Sequence, residues 1–212
     1  RTHLDLGKCR RPDYRGRRYF FVGKDDYSET TEFGSMKLKT AQETWDSVYD
    51  KYPGTCLQTR EDDPDSKFPF EWSVDGGEEF GSVFAKNTKD RGGRLRLSKP
   101  GRSKDNAKAE KAVGDVQRQV ATSLGCANAP GSWWSLAGEM CCYNDERTKT
   151  VRDTGKTRYE LRRGVPWTGT LYPFGCGCSY VVPPEERDKF ESRSRDGVVV
   201  GYAGGGGIKV VD

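Results

Sequence analysis

Along the chain, runs in which apolar positions recur every second residue give way to runs with helical spacing, and their order predicts most of the elements. Residues 2–6, "THLDL", alternate around Leu4 and Leu6, which predicts a short strand with His3 and Asp5 on one face. Residues 17–28, "RRYFFVGKDDYS", predict a stronger aromatic strand that stops at Asp25-Asp26-Tyr27-Ser28. Residues 30–39, "TTEFGSMKLK", predict a third strand, paired with the second as a hairpin. Thr40 then caps a helix over 41–52, with Glu43 at the capping-box position and Trp45, Val48 and Tyr52 on one stripe. A fourth strand, "KFPFEWSV", ends at Asp75. A short helix over 80–90 stops at Gly92-Gly93, and "RLRLS" alternates as a fifth strand. From Asn106 to about Ala127, Ala107, Val113, Val116, Val120 and Leu124 fall at helical spacings. Pro130 interrupts, and "SWWSLAGEMCCYND" resumes a helix. Three strands, a helix, a strand, a helix, a strand and a long helix predict an α/β fold with a mixed sheet.

Beyond residue 143 the pattern changes. Residues 144–165 are charged, lack apolar periodicity and predict a linker. From 166 to 212, four short runs punctuated by Gly and Pro ("TLYPFG", "GCSYVVP", "DGVVVGYAG", "GIKVVD") predict a small β-barrel-like module, truncated or nearly complete at Asp212. The organisation expected is therefore a core over 1–143, a linker over 144–165 and a β module over 166–212. The chain opens inside a strand and stops abruptly, so a piece of a longer protein is expected.

Composition narrows the class. Five Trp, ten Tyr and nine Phe among 212 residues supply a packed core, although 32% of the residues are charged. No apolar run approaches the roughly 20 residues that span a bilayer, so no membrane partner is expected. Seven cysteines are an odd number with no disulfide-like spacing, which predicts free thiols and an intracellular location. A single histidine gives little support to a Cys/His zinc site. The net charge of +4 is uninformative, but residues 91–104 carry six basic side chains and no acid, reading either as a solvated loop or as a polyanion contact.

Three acids stand where secondary structure can aim them together: Asp5 on the first strand, Asp75 at the end of the fourth, and Glu110 in the first turns of the long helix. Carboxylates so gathered repel one another, and a divalent cation such as Mg²⁺, which prefers carboxylate oxygens and water, removes the conflict. With 32 acids in the chain, some triple of this kind arises by chance, and that reading stays open at this stage.

At these residues the sequence resembles the integrase of copia-type LTR retrotransposons. "THLDLGKCR" resembles the opening segment that carries the first catalytic Asp, here Asp5. The stretch from "GRRYFFVGKDDYSETTEF" to "KLKTAQETW" resembles the family's "Y-F…D-D-Y-S" signature with its following strand and "K-x-K" helix start. "VDGGEEF" resembles "S-D-N-G-G-E-Y/F" and gives Asp75. "LSKPGRSKDNAKAEKAVGDV" resembles "P-x-T-P-Q-x-N-G-x-A-E-R" and gives Glu110. "APGSWWSLAGEMCCYNDER" and "YPFGCGCSYVVPPEERDKFESRSRDGVVVGYAGGGGIKVVD" resemble the helix and the module that follow the family's core.

The resemblance implies a ribonuclease-H-like five-stranded mixed sheet flanked by helices, followed by a small β-barrel-like module. It also implies metal-dependent DNA integration. Two Mg²⁺ or Mn²⁺ ions held by Asp5, Asp75 and Glu110 would serve 3′-end processing and then strand transfer into target DNA. Arg102, Lys104, Asn106 and Lys111 are the implied DNA contacts, with Asn106 alternatively steadying the start of its helix. The implied partners are element and target DNA and further copies of the chain, with nuclear action. Departures are also present. Thirty-four residues separate Asp75 from Glu110, one fewer than usual, and Gly76 stands where Asn usually follows the second Asp. A zinc-binding His/Cys segment like the one that precedes the family's core is not expected within these 212 residues. An inactive nucleic-acid-binding remnant and a nuclease of the same fold are the alternatives. His3 is expected as a partly exposed neighbour of Asp5, Lys37 and Lys39 as a solvated face, and Trp133 and Trp134 as packing residues.

Overall fold

The computed structural model describes residues 1–57, 67–98 and 106–212. Five strands form one sheet: β1 (Thr2–Lys8), β2 (Tyr19–Asp25), β3 (Thr31–Met36), β4 (Glu71–Val74) and β5 (Arg94–Leu97), in the spatial order β3-β2-β1-β4-β5. β1 and β3 run antiparallel to β2, whereas β4 and β5 run parallel to β1 and to each other. Helices α1 (Ala41–Lys51) and α2 (Ser82–Asp90) cover one face, and α3 (Ala107–Cys126) and α4 (Trp134–Thr148) cover the other.

The run of bulky residues in β2 makes this two-sided core. Adjacent side chains on a strand point to opposite faces. Phe21 therefore packs with Trp45, Tyr52 and Trp72 on the α1 side, and Phe20 and Val22 pack with Phe33, Val116 and Trp134 on the α3 and α4 side. Trp72 is fully buried at the centre of the first cluster, with its ring 5.0 Å from Tyr52 and 5.6 Å from Phe84 in edge-on geometry. On the opposite face Phe20, Phe33 and Trp134 meet in pairs 5.6–6.2 Å apart. Gly138 lets α4 come this close, since a Cβ there would lie 2.6 Å from the Phe33 ring.

Helix α1 starts at the expected Thr40 cap, but Glu43 does not complete a capping box and reaches further back along the chain. Thr40 caps it by accepting from Glu43 N, and the Glu43 carboxylate accepts from Lys37 N and Leu38 N at 2.6 and 3.0 Å. The two bonds lock the whole β3–α1 connection. A second buried anchor is Asp13 in the β1–β2 loop. It accepts from Arg15 N and Arg17 N, pairs with Arg17 Nε at 2.7 Å, and takes the Ser135 hydroxyl of α4 at 2.6 Å. Burial pushes the Asp13 carboxyl up, but the bonds from Ser135, Arg17 and Arg15 outweigh it, and the net shift is down.

The segment expected as a charged linker is largely ordered. Helix α4 runs on to Thr148, and a further helix, α5 (Arg158–Arg163), begins with a Thr157–Glu160 capping box and ends at left-handed Gly164. Its charges are absorbed by pairing: Arg162 of α5 reaches Glu32 Oε1 at 2.7 Å and Glu146 Oε1 at 3.0 Å. The Arg147 guanidinium lies over the rings of Tyr143, Tyr159 and Trp167. Apolar periodicity misses such a segment because cation–π contacts and ion pairs do the packing.

After it, β6 (Gly177–Val181), β7 (Ser194–Tyr202) and β8 (Ile208–Val211) form a three-stranded antiparallel sheet. The expected strand over 170–175 is irregular instead, and Tyr172 N donates to the Tyr202 hydroxyl at 2.7 Å. This small sheet rests on the far end of α4, where Tyr202 stacks on Tyr143 with centroids 4.1 Å apart. All seven cysteines are free thiols, and among the described residues no helix is long and apolar enough to cross a membrane.

Two outcomes follow from this packing. Trp72→Ala empties the centre of the first cluster and should cost about 3–5 kcal/mol in a urea titration. Asp13 titrates lower folded than unfolded, so its stabilisation is complete above the ordinary aspartate range and is lost as pH falls through the lowered folded value. Asp13→Asn should therefore lower stability near neutral pH and flatten the acid limb of a plot of unfolding free energy against pH.

Candidate functional site

The parallel pairing of β1 with β4 sets the site. Thr2 pairs with Trp72 and His3 with Ser73, and the same offset continued brings Asp5 level with Asp75, immediately beyond the end of β4. Asp5 is half-buried, and its Oδ1 accepts from Leu6 N at 2.8 Å. The Asp75 Oδ1 accepts from Gly77 N at 3.2 Å, so the glycine turn folds back on the carboxylate it follows. After the turn a single 3₁₀ segment, Glu78–Phe80, drives Phe80 into the core under α2.

The third acid arrives on α3. Asn106, the residue before that helix, is buried and donates from Nδ2 to the Leu4 carbonyl at 3.5 Å, which ties the helix start to β1 next to Asp5. Ala109 and Ala112 face the sheet and let the helix lie close, while Glu110 in the first turn is exposed. Burial is the first cause of a raised Asp5 carboxyl. The Leu6 N–H counters it, the negative charges of Asp75 and Glu110 add to it, and Lys39 again opposes it. Each of the two other acids is thus near enough for its charge to act on Asp5. Among the described residues, no group of three or more His, Cys, Asp or Glu side chains stands ready-clustered as a metal site.

The remaining sequence-derived residues separate. Arg102 and Lys104 lie outside the described residues. Lys111 is exposed on α3. Asn106 is 5% exposed and engaged with Leu4, which is the geometry of a helix anchor. His3 is not partly exposed as expected: it is buried, with Nε2 3.1 Å from Asp26 Oδ1, and Asp26 also pairs with Lys108 of α3. The start of α3 covers it, which the strand pattern alone does not reveal. Asp25 closes the turn after β2 by accepting from Tyr27 N, Ser28 N and the Ser28 hydroxyl.

Lys39 was missed. Its ammonium lies 2.7 Å from Oε1 of buried Glu79, and its charge acts on both Asp75 and Asp5. Its sequence signals are the family's "K-x-K" helix start, which it completes, and its place directly before the Thr40 cap. A mixed-charge cavity of about 230 Å³ opens elsewhere, between the β2–β3 hairpin, α3 and α4, where burial and Arg158 depress the Lys24 ammonium to about 8. Acidic and basic side chains both line it, and none of the three candidate carboxylates does.

The donor type is that of a hard divalent cation: Asp5 and Asp75 stand level at one end of the sheet, and the charge of exposed Glu110 acts on half-buried Asp5, although the three are not gathered into one cluster.

Comparison with known proteins agrees with the motifs. The retrovirus-related Pol polyprotein from transposon TNT 1-94 of Nicotiana tabacum is 28% identical over 193 residues, which is 88% of this chain and 14% of that polyprotein. No protein-family model matches the chain. Among solved structures, the HTLV-2 integrase catalytic core domain in complex with magnesium, in its trimeric form, superposes with a TM-score of 0.54 at 17% identity, covering 76% of this chain and 94% of that one. The catalytic core domain of BIV integrase gives a TM-score of 0.53 at 14% identity over 76% of this chain and 91% of that one. The simian T-cell lymphotropic virus intasome in complex with the PP2A regulatory subunit B56 gamma gives 0.59 at 14% identity over 94% of this chain and 68% of that one. The mixed five-stranded sheet with its flanking helices is the ribonuclease-H-like fold of integrase cores. A polyprotein relative that runs along most of the chain and a fold shared with retroviral integrases together support an integrase of an LTR retrotransposon.

Proposed function

We propose that the chain carries the catalytic core of a DNA integration enzyme, with Asp5, Asp75 and Glu110 as the metal-holding carboxylates. The observation that supports this reading most is the parallel β1–β4 register that carries Asp5 to the level of Asp75, together with the action of the Glu110 charge on Asp5. Two divalent cations held there, Mg²⁺ or Mn²⁺, would supply Lewis-acid polarisation of phosphate oxygens and a more acidic bound water. The magnesium complex of the HTLV-2 core is in keeping with that choice of ion.

The chain's own residues do the positioning. The Leu6 N–H fixes the rotamer of Asp5, the Gly77 N–H fixes that of Asp75, and the Asn106–Leu4 bond sets the axial position of α3 and so of Glu110. The substrate is double-stranded DNA, first trimmed at its 3′ ends and then joined to a target phosphodiester through its terminal 3′-hydroxyl. Water and then the DNA 3′-hydroxyl are the nucleophiles in this reading, and the carboxylates hold metal, so no covalent protein–DNA adduct forms. Lys111, on the exposed side of α3, contacts DNA phosphate, and Arg102 and Lys104 act with it. The module over 166–212 and the segment before it belong to the same polyprotein unit. The trimeric and dimeric forms named for the HTLV-2 core support a homo-oligomer as the working species. Integration into chromosomal DNA makes the nucleus its place of action.

Mn²⁺-dependent joining of duplex oligonucleotide ends tests the reading. Asp75→Asn should lower joined product by on the order of a hundredfold or more. Joining that survives this change rejects the mechanism, nicked product without joined product assigns a nuclease, and duplex binding with neither product assigns an inactive remnant.

A second outcome comes from the sign of the Asp5 shift. An acid whose folded pKa is raised holds its proton more tightly when folded, so its ionisation costs stability as pH rises from the ordinary aspartate range, and the cost persists at neutral pH. Asp5→Asn should therefore raise the metal-free Tm at pH 7 and shrink the rise in Tm that Mn²⁺ produces in the wild-type chain. Scanning calorimetry with and without Mn²⁺ measures both.

A further inference from the structure

Lys39 is poorly placed for a merely solvated lysine. The connection that carries it cannot wander, because the Glu43 carboxylate accepts from the two backbone N–H groups before it and the Thr40 cap follows it. From that fixed backbone the side chain turns toward the glycine loop after Asp75 and ends 2.7 Å from Glu79 Oε1. Glu79 is 8% exposed, and a buried carboxylate requires a charged or hydrogen-bonding partner. Its carboxylate occupies the space beside Gly77 that a side chain would need, since a Cβ there would lie 2.5–2.6 Å from it. The Glu79 carboxylate is thus packed against the glycine turn, and Lys39 pairs with it there.

The Lys39 side chain is still 42% exposed. Its ammonium is held by Glu79 and lies within the fields of Asp75 and Asp5. A lysine tethered in this way costs less rotamer entropy to engage than a free one. It also answers an electrostatic difficulty at the site: three carboxylates repel a phosphodiester as they repel one another, and an added cation lowers that barrier.

We infer that Lys39 is a substrate-positioning residue whose ammonium contacts the DNA phosphate entering the carboxylate site, with Glu79 as its holder. The inference rests on the integration reading above and goes beyond it in assigning a phosphate contact on the β3–α1 connection, away from the α3 surface. The contact is with backbone phosphate, so it carries no base preference.

The test is duplex DNA binding by fluorescence anisotropy over a salt series, using the whole chain as wild type, Lys39→Gln, Lys39→Arg and Lys37→Gln. Joining is measured in parallel. Removing one phosphate contact should reduce the slope of log affinity against log salt by about one unit. Lys39→Gln is expected to show that reduction and a higher KM for DNA in the joining assay. Lys39→Arg should recover both, and Lys37→Gln, on the neighbouring exposed position, should leave the slope unchanged. An unchanged slope in Lys39→Gln with a lower kcat or Tm would make Lys39 only a clamp on the Asp75 loop and overturn the inference. An equal loss in Lys37→Gln would reduce it to general surface charge and overturn it too. Either result leaves integration standing if the wild type still joins ends. A wild-type chain that binds no duplex at low salt defeats both readings at once.

Discussion

The parallel ladder between β1 and β4 is the constraint on which the rest depends. It is short, with two paired positions, yet it brings an acid from each strand to one end of the sheet. Parallel strands require a long crossover. Here that crossover contains the β2–β3 hairpin and α1, so the two acids are joined through a sizeable fraction of the core. Burial of Trp72 and Leu4, neighbours in the strands that carry Asp75 and Asp5, holds the ladder against the repulsion at its end. Hydrophobic packing is what makes two like charges at one end of the ladder tolerable.

The same logic explains why α3 is built as it is. Small residues face the sheet, a buried asparagine fixes the start, and polar positions face outward. A helix with bulkier residues at 109 and 112 would stand further off and carry Glu110 out of range of Asp5. Around this rigid frame the loops differ in how firmly they are held. The β3–α1 connection and the Asp13 loop are tied by several hydrogen bonds to backbone and side-chain donors.

Much of this was legible in the sequence because the apolar periods are clean. "YFFV", "EWSV" and the long amphipathic helix each predict their element, and the quoted motifs single out Asp5, Asp75 and Glu110 from many other acids. Three things were not legible. His3 is covered by a helix that begins a hundred residues later, and no local pattern reports that. Lys39 looks like an exposed lysine until the loop holding Glu79 is brought across from the other side of the chain. Residues 144–165 read as a linker because arginines are counted as solvated, whereas Arg147 and Arg162 are stacked and paired. In each case the missing information is a long-range pairing of polar groups, to which hydrophobic periodicity is blind.

Helix α4 joins the two sheets physically. Trp134 at its beginning packs against the rings of the large sheet, and Tyr143 near its end is stacked on the small one. A helix is a stiff rod with fixed rotation per residue, so this geometry makes α4 a ruler and a protractor together. One residue added between Trp134 and Tyr143 would swing the small sheet by about 100° around the rod and lift it by about 1.5 Å. The stretch between those two aromatics is therefore constrained twice, in its length by the two sheets and in its sequence by the packing of Ser135 and Gly138.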